Sequence, residues 1–295
     1  MKKGVTLSNI EHIDCASHKI QNILKEGLKA QETVVIAITK CKKMATHFHN
    51  SNTAQDELKA IQKRLNQTPL KILQECTTRW NSTFYTLERI LQVKESLCLY
   101  ASTNNKIPQL TSEEWMLIDK VITLLRPFEE VTKELSAADV SVPSLIPLIA
   151  TLERILNDFD STDELIGDTT AVLKQELFNK FSFLENEVLF ITTTFIDPRY
   201  KVKFFKNTLT KERVICYILE LLEDSQAGAS SSSRSPNSKR ARLDKTDDSG
   251  EKKPLSLKDT MTSLMDTSDS RAVARGGHCG AMPYLETTMP YLKNI

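Results

Sequence analysis

Apolar residues recur every three or four positions through most of the first 224 residues, which is the spacing of an amphipathic helix. Asp14 and either Ser51 or Asn52 are predicted N-caps, and Pro127 is predicted to kink the helix that contains it. The pattern predicts helices over about 14–29, 32–49, 52–65, 82–102, from about 112 onwards, and over 144–158, 169–184 and 211–223.

Two short segments have the pattern of a strand instead. Residues 70–74 alternate between apolar and polar, and residues 188–196 are apolar and rich in β-branched side chains, so we expect strand or extended structure in both. Residues 197–200, Asp-Pro-Arg-Tyr, are typical of a turn. The sequence therefore predicts a mainly helical fold.

The helical pattern ends near residue 225. Residues 226–254 are rich in serine and charge and have almost no large apolar side chains, so they cannot bury enough surface to offset their chain entropy. Residues 255–295 are weakly hydrophobic. We therefore expect a disordered linker and tail over 225–295.

A short basic stretch lies within this predicted linker. Lys239, Arg240 and Arg242 form Lys-Arg-x-Arg beside a Ser-Pro pair, which resembles a monopartite nuclear import signal. The alternative is a solvated linker with incidental charge. The import interpretation predicts a nuclear protein.

Composition and the absence of known motifs argue against several other classes of protein. The chain has 39 basic and 38 acidic residues, so any DNA contact must come from a local patch, such as the Lys and Arg side chains of residues 40–64, rather than from a global field. There is no run of about 18 apolar residues, so no membrane span is expected. No nucleotide, hydrolase or metalloprotease motif predicts a small-molecule substrate or a cofactor. The six cysteines form no Cys-x-x-Cys pair, and we expect them to be reduced and mostly buried.

Several Cys and His residues near the start of the chain suggest a possible zinc site. Cys15 and His18 share a helix face, and Cys41, His47 and His49 lie in the next predicted helix. A structural zinc ion needs four converging ligands, usually in close pairs on turns, whereas these lie within helices. Helix packing is the preferred interpretation, and no metal site is predicted.

Several motifs occur in a particular order. Cys15-x-x-His18 leads into a long helix, Lys-Cys-Lys-Lys follows at 40–43, and Thr-Arg-Trp-Asn-Ser-Thr follows at 78–83. This order resembles the hAT superfamily of cut-and-paste DNA transposases and the BED-finger nuclear proteins derived from them. The resemblance covers about residues 10–105 and continues more weakly to 205, where 197–201 resembles the family's Asp-Pro-Arg-aromatic-Lys turn.

The resemblance implies an RNase H-like α/β core interrupted by an all-helical insertion. We therefore expect a mainly α fold with an incomplete core of one or two strands. Residues 1–104 would form the partial core, 105–187 the insertion, and 188–224 the return to the core and the last helix. Apolar faces that cover the sheet in the family would be exposed here, and would suit a protein partner or a second copy.

By the same resemblance, Cys15, His18, Arg79 and Trp80 would lie near bound DNA. For Trp80 the competing interpretation is an ordinary core aromatic residue.

The family's enzymes hold two metal ions with two aspartates before the Cys-x-x-His segment and a glutamate after the insertion. Neither aspartate segment fits the 14 residues that precede Cys15, and neither a BED finger nor the C-terminal dimerisation region can be matched. We therefore expect no catalytic residues and an inert nuclear module in transcription or chromatin. The alternatives are a transposase or nuclease that acts with missing segments or a partner chain, and a non-functional transposon fragment.

Overall fold

The computed structural model describes residues 14–73, 80–138 and 140–227, together with 256, 257, 259, 261 and 262. This part of the chain is mainly helical and contains no strand. Its helices are α1 (Ala16–Lys29), α2 (Glu32–Asn50), α3 (Asn52–Arg64), α4 (Trp80–Gln92), α5 (Lys94–Thr103), α6 (Ser112–Glu134), α7 (Leu145–Asn157), α8 (Gly167–Phe181), α9 (Val188–Ile196) and α10 (Thr208–Ala227). Short 3-10 turns, Val142–Ser144 and Ser182–Glu185, precede α7 and follow α8.

Local capping signals place two helix starts where the sequence predicts them. The Ser51 hydroxyl accepts a hydrogen bond from the Ala54 amide at 3.1 Å at the start of α3. At α6, the Thr111 hydroxyl accepts from the Glu114 amide at 3.2 Å, and the Glu114 carboxylate accepts from the Thr111 amide at 2.8 Å. This reciprocal pair satisfies two amides that a helix start otherwise leaves unpaired.

Other predicted boundaries are wrong. Cys15 rather than Asp14 is the N-cap of α1, and its side chain makes no capping hydrogen bond. The predicted helix over 82–102 is two helices, α4 and α5, separated at Val93, whose side chain is buried. Helix α6 contains Pro127 and continues to Glu134, and the kink predicted at Pro127 stays a prediction.

Neither predicted strand is present in the described residues. Residues 70–73 are not a strand, because the buried Gln62 side chain bonds both the amide and the carbonyl of Leu70, at 3.1 Å each, in place of a neighbouring strand. Position 74 lies outside the described residues. Residues 188–196 form α9, whose face bearing Phe190, Ile191 and Thr194 is buried. Tertiary packing there outweighs the β-branched local preference.

A continuous apolar core joins α1 to α10. Helix α1 packs along α8, and the contact is close because Gly27 faces Leu173. Helix α4 packs against α6, and α2 packs against both of them. These contacts place the start of α1 and the start of α4, which carry the predicted DNA-facing residues, on one packed body.

Predictions for the C-terminal part are only partly testable. Helix α10 extends to Ala227, beyond the predicted boundary at 225, and Leu257 is buried in the core with 4% of its surface exposed. The other residues of the predicted linker and tail lie outside the described residues, so their predicted disorder stays a prediction. Cys216 is disulfide-bonded, so the prediction of reduced cysteines is wrong for this residue. Cys15 and Cys98 are free, as predicted, but they are exposed rather than buried.

Candidate nucleic-acid interface

The first candidate residues lie at the start of α1. Cys15 and His18 are both exposed, and the Cys15 thiol is free. Because neither side chain is buried in the core, both are accessible to a ligand from solvent.

The zinc arrangement considered above does not form in the described part of the chain, where no three His, Cys, Asp or Glu side chains are grouped to hold a metal ion. Cys41 is buried within α2, and this burial raises the pKa of its thiol to about 12. The His47 imidazole Nε2 and the Tyr100 hydroxyl lie 2.9 Å apart, within hydrogen-bonding distance. Burial lowers the pKa of the His47 imidazole, and the nearby positive charge of Lys106 lowers it further. Packing accounts for both Cys41 and His47.

Trp80 is the first residue of α4 and is half-buried. Its ring meets Phe84 edge to face, with centroids 6.4 Å apart, and packs against the core. The indole Nε1 is buried without a hydrogen-bond partner in the described residues, which is a costly state for a buried donor. Arg79 lies outside the described residues. The ring of Trp80 therefore packs as a core aromatic does, while its donor group is left unused.

A polar cluster holds α4 on α6. The Tyr85 hydroxyl donates to the buried Glu129 carboxylate, and Lys133 pairs with the same carboxylate at 2.8 Å. Burial and the Glu129 carboxylate raise the pKa of Tyr85, and the hydrogen bond to Glu129 is the main cause of the raised pKa of Lys133. Tyr85 and Glu129 are 44 residues apart, so no local motif could have indicated this cluster.

A second contact lies on the same interface. Arg126 pairs with Glu88 at 3.0 Å, and its guanidinium lies 5.5 Å from the Phe84 ring centroid. Since Phe84 also contacts Trp80, the two interface contacts together fix the position of the α4 start. Sequence reasoning missed Arg126 and Glu88 for the same reason: they are distant in sequence.

A groove of about 560 Å³ lies beside this interface, between α4, α6 and α7. The acidic residues Glu88, Asp119 and Asp158 are among those that line it. Glu88 is already paired with Arg126, and these carboxylates are not grouped as metal ligands. As described, the groove offers mixed apolar and charged surface and no assembled two-metal site.

The basic residues of α2 and α3 are only partly available to phosphate groups. Lys40 pairs with Glu114 at 2.5 Å, whereas the side chains of Lys43, Lys59 and Lys63 are exposed, as is that of Arg64. Exposed Lys and Arg side chains usually form the solvated face of a helix. The exposure of these four side chains alone therefore does not identify a DNA-binding surface.

The predicted turn at 197–200 is confirmed. Asp197 accepts hydrogen bonds from the Arg199 amide at 2.9 Å and from the Arg199 guanidinium at 2.8 Å. Hydrogen bonding to Arg199 is the main cause of the lowered pKa of Asp197. Tyr200 is buried, with its hydroxyl 3.3 Å from that of Ser144. Asp197 is therefore a turn residue committed to Arg199.

Apolar side chains are exposed on several helices near the C-terminal end of the described body. Phe178 on α8 is 58% exposed and Ile196 on α9 is 66% exposed. Helix α10 adds the exposed side chains of Leu209, Leu219, Leu221 and Leu222.

Two further predictions concern location. Lys239, Arg240 and Arg242 lie outside the described residues. Among the helices that the structure describes, none combines the length and the apolar character needed to cross a bilayer.

Comparison with known proteins shows what the chain is similar to. Residues 13–124 match the family model described as the ZBED1 RNase-like helical domain. Zinc finger BED domain-containing protein 4 of Homo sapiens is 25% identical over 225 residues, which are 75% of this chain and 19% of that protein. A Talaromyces stipitatus protein, tpeD, whose name describes a transcriptional regulator, is 23% identical over 230 residues, 66% of this chain and 26% of its own length. An AC transposase of Zea mays is 25% identical over 249 residues, 80% of this chain and 30% of its own.

The chain thus spans 19 to 30% of the length of these three relatives. The matched residues 13–124 run from the start of α1 into α6 and contain the Cys15, His18 and Trp80 positions. The resemblance drawn from the motif order is therefore confirmed: the chain is similar to BED-type zinc finger proteins and to a hAT-type transposase.

Proposed function

We propose that this chain acts in a domesticated, catalytically inert hAT-transposase-like nuclear protein, as a DNA-associated or protein-interaction module in transcription or chromatin. The observation that carries the proposal is the match of residues 13–124 to a BED-type helical domain. The relatives named as a BED zinc finger protein and as a transcriptional regulator support it. The exposed apolar side chains of α8 to α10 support the protein-interaction part.

We also propose that α1 and α4 are elements of an RNase H-like core and that residues 105–187 are its helical insertion. The contact between α1 and α4 is consistent with this assignment. In the proposed arrangement Cys15, His18, Arg79 and Trp80 face DNA, with Arg79 contacting phosphate. The α4–α6 contacts made by Tyr85 and Glu129 then serve to hold the Arg79-Trp80 pair in place.

The second candidate function is a DNA transposase or nuclease that works with other segments or a partner chain. The relative named as an AC transposase favours it. It requires an assembled set of acidic metal ligands, and none is grouped within the described residues.

One DNA assay separates these two functions. We expect the full chain to bind duplex DNA at low salt and to leave it uncut in the presence of Mg²⁺ or Mn²⁺. Binding is measured by fluorescence anisotropy and cleavage by denaturing gel on the same mixtures. Arg79→Ala should weaken binding and lower the slope of log affinity against log salt by about one, because one phosphate contact is removed.

The matched control is Arg154→Ala, which removes an exposed arginine from α7, outside the proposed interface. It should leave affinity and salt slope unchanged. Trp80→Phe keeps an aromatic ring and removes the unused indole N–H, so a lower affinity in this variant would support a DNA role beyond packing. Metal-dependent cleavage by the unmodified chain, or equal effects of Arg79→Ala and Arg154→Ala, would contradict the proposal.

The nuclear part of the proposal rests on Lys239, Arg240 and Arg242. A full-length fluorescent fusion should accumulate in the nucleus, and replacement of these three residues by alanine should abolish that accumulation, because import receptors bind accessible basic side chains. Imaging of living cells measures the nuclear-to-cytoplasmic ratio. Replacement of Lys252 and Lys253 by alanine removes charge from the same serine-rich region and is the control; an equal effect of both changes would argue against a specific signal.

A further inference from the structure

A short segment far along the chain lies on α6. Residues 256, 257, 259, 261 and 262 are described, and the helical segment they belong to is separated from the end of α10 by residues 228–255. The Leu257 amide donates to the Glu130 Oε2 atom at 2.7 Å, and these two residues are 127 positions apart. A contact over this separation is not a product of local chain geometry.

The segment also contributes to the apolar core. Leu257 is 4% exposed and belongs to the main cluster of buried residues, and Met261 packs against that cluster. Residues four positions apart lie on one face of a helix, so the two side chains form a single apolar face directed at the domain. Asp259, between them in sequence, is exposed. Packed side chains at 257 and 261 with an exposed one at 259 are the pattern of an amphipathic helix that packs against a surface.

Glu130 is suited to hold the start of such a helix. The first amides of a helix have no partner within it, and they carry the positive end of the helix dipole. A carboxylate that accepts one of them makes a charge-assisted hydrogen bond. The neighbouring Glu129 is committed to Tyr85 and Lys133, so the two adjacent carboxylates have separate partners.

We propose that the segment to which residues 256, 257, 259, 261 and 262 belong is a docking motif that this chain binds in cis on α6. Leu257 and Met261 are the apolar anchors, and the Glu130 carboxylate accepts the Leu257 amide. The occupant of this part of α6 is thus a segment of the same chain. Docking attaches the chain on both sides of Lys239, Arg240 and Arg242: at α10 before them and at α6 after them.

The burial of Leu257 and Met261 and the hydrogen bond to Glu130 oppose the entropy of ordering the segment. A short segment of this kind is expected to open far more readily than the domain unfolds. Hydrogen exchange of the full chain, followed by mass spectrometry, measures this opening. The peptide that covers 256–262 should exchange at least about tenfold more slowly in the unmodified chain than in Leu257→Asp, which places a charge in the buried anchor position.

Glu130→Ala removes the acceptor and should also accelerate exchange of this peptide. Its matched control is Glu134→Ala, an exposed glutamate one turn later on α6, which should exchange like the unmodified chain. If Leu257→Asp also accelerates exchange in α2, and so disturbs the whole domain, the comparison of Glu130→Ala with Glu134→Ala decides the result.

Two results would overturn the proposal. One is a 256–262 peptide that exchanges equally fast in the unmodified chain, in Leu257→Asp and in Glu130→Ala. The other is protection that disappears on dilution, because a segment bound to a second copy dissociates when the protein concentration falls whereas a segment bound in cis does not.

Discussion

Phe128→Ala is expected to lower the free energy of unfolding by about 3–5 kcal/mol, the range for removing a fully buried aromatic side chain and leaving a cavity. Phe128 lies on α6 with none of its surface exposed, in the helix that packs against α2, α4 and α7. For a protein of this size the change corresponds to a melting temperature about 10 °C lower. Circular dichroism during thermal or denaturant unfolding measures it.

Phe178→Ala is the matched control, because it removes the same side chain from an exposed position on α8. Its effect should stay within about 0.5 kcal/mol. The pair also addresses whether the chain is a non-functional transposon fragment. A chain without a stable fold would show no cooperative melt and no difference between the two variants, and that outcome would contradict the packed core described above.

Gly27→Ala is the second change with a large expected effect, and two physical terms oppose each other there. Alanine within a helix is favoured over glycine by about 1 kcal/mol. A Cβ atom at Gly27, however, would lie 2.3 Å from Leu173 Cδ2 and 2.6 Å from its Cγ. Leu173 is fully buried and has little room to move, so overpacking at about 1–3 kcal/mol should prevail and the variant should be less stable.

A double-mutant cycle tests this explanation directly. Leu173→Ala alone should cost about 2–5 kcal/mol, since it leaves a cavity between α1 and α8. Combined with Gly27→Ala it should cost less than the sum of the two single changes, because the added methyl group then enters vacated space. Denaturant unfolding of the four proteins gives the coupling energy. Strict additivity would mean that Gly27→Ala acts through something other than contact with Leu173.

The parts of the fold that were predictable are those set by neighbours in sequence. The Ser51 cap and the Thr111–Glu114 helix start depend on residues three positions apart, and both are where the sequence places them. The Asp197–Arg199 turn is equally local. For such elements the chain carries its own hydrogen-bond partners within one turn.

The parts that were not predictable depend on distant contacts. Residues 188–196 have the composition of a strand, yet they form α9, in which the Thr194 hydroxyl bonds the carbonyl of Pro143. The Tyr85–Glu129 pair has no sequence signature, because neither residue belongs to a motif. For the candidate DNA interface, the order of motifs identified Cys15, His18 and Trp80, but it did not distinguish packing from contact with DNA. The half-buried ring of Trp80 and its N–H, which has no partner among the described residues, show features of both interpretations.

The buried thiol of Cys41 gives this protein an internal reporter of unfolding. The thiolate is the form of cysteine that attacks alkylating reagents. A core thiol with a pKa of about 12 is almost entirely protonated at neutral pH, so it reacts slowly. Cys15 and Cys98 are exposed and free, so they should be labelled first. The later appearance of label on Cys41 would then record how often α2 leaves its neighbours, in an experiment that needs no mutation.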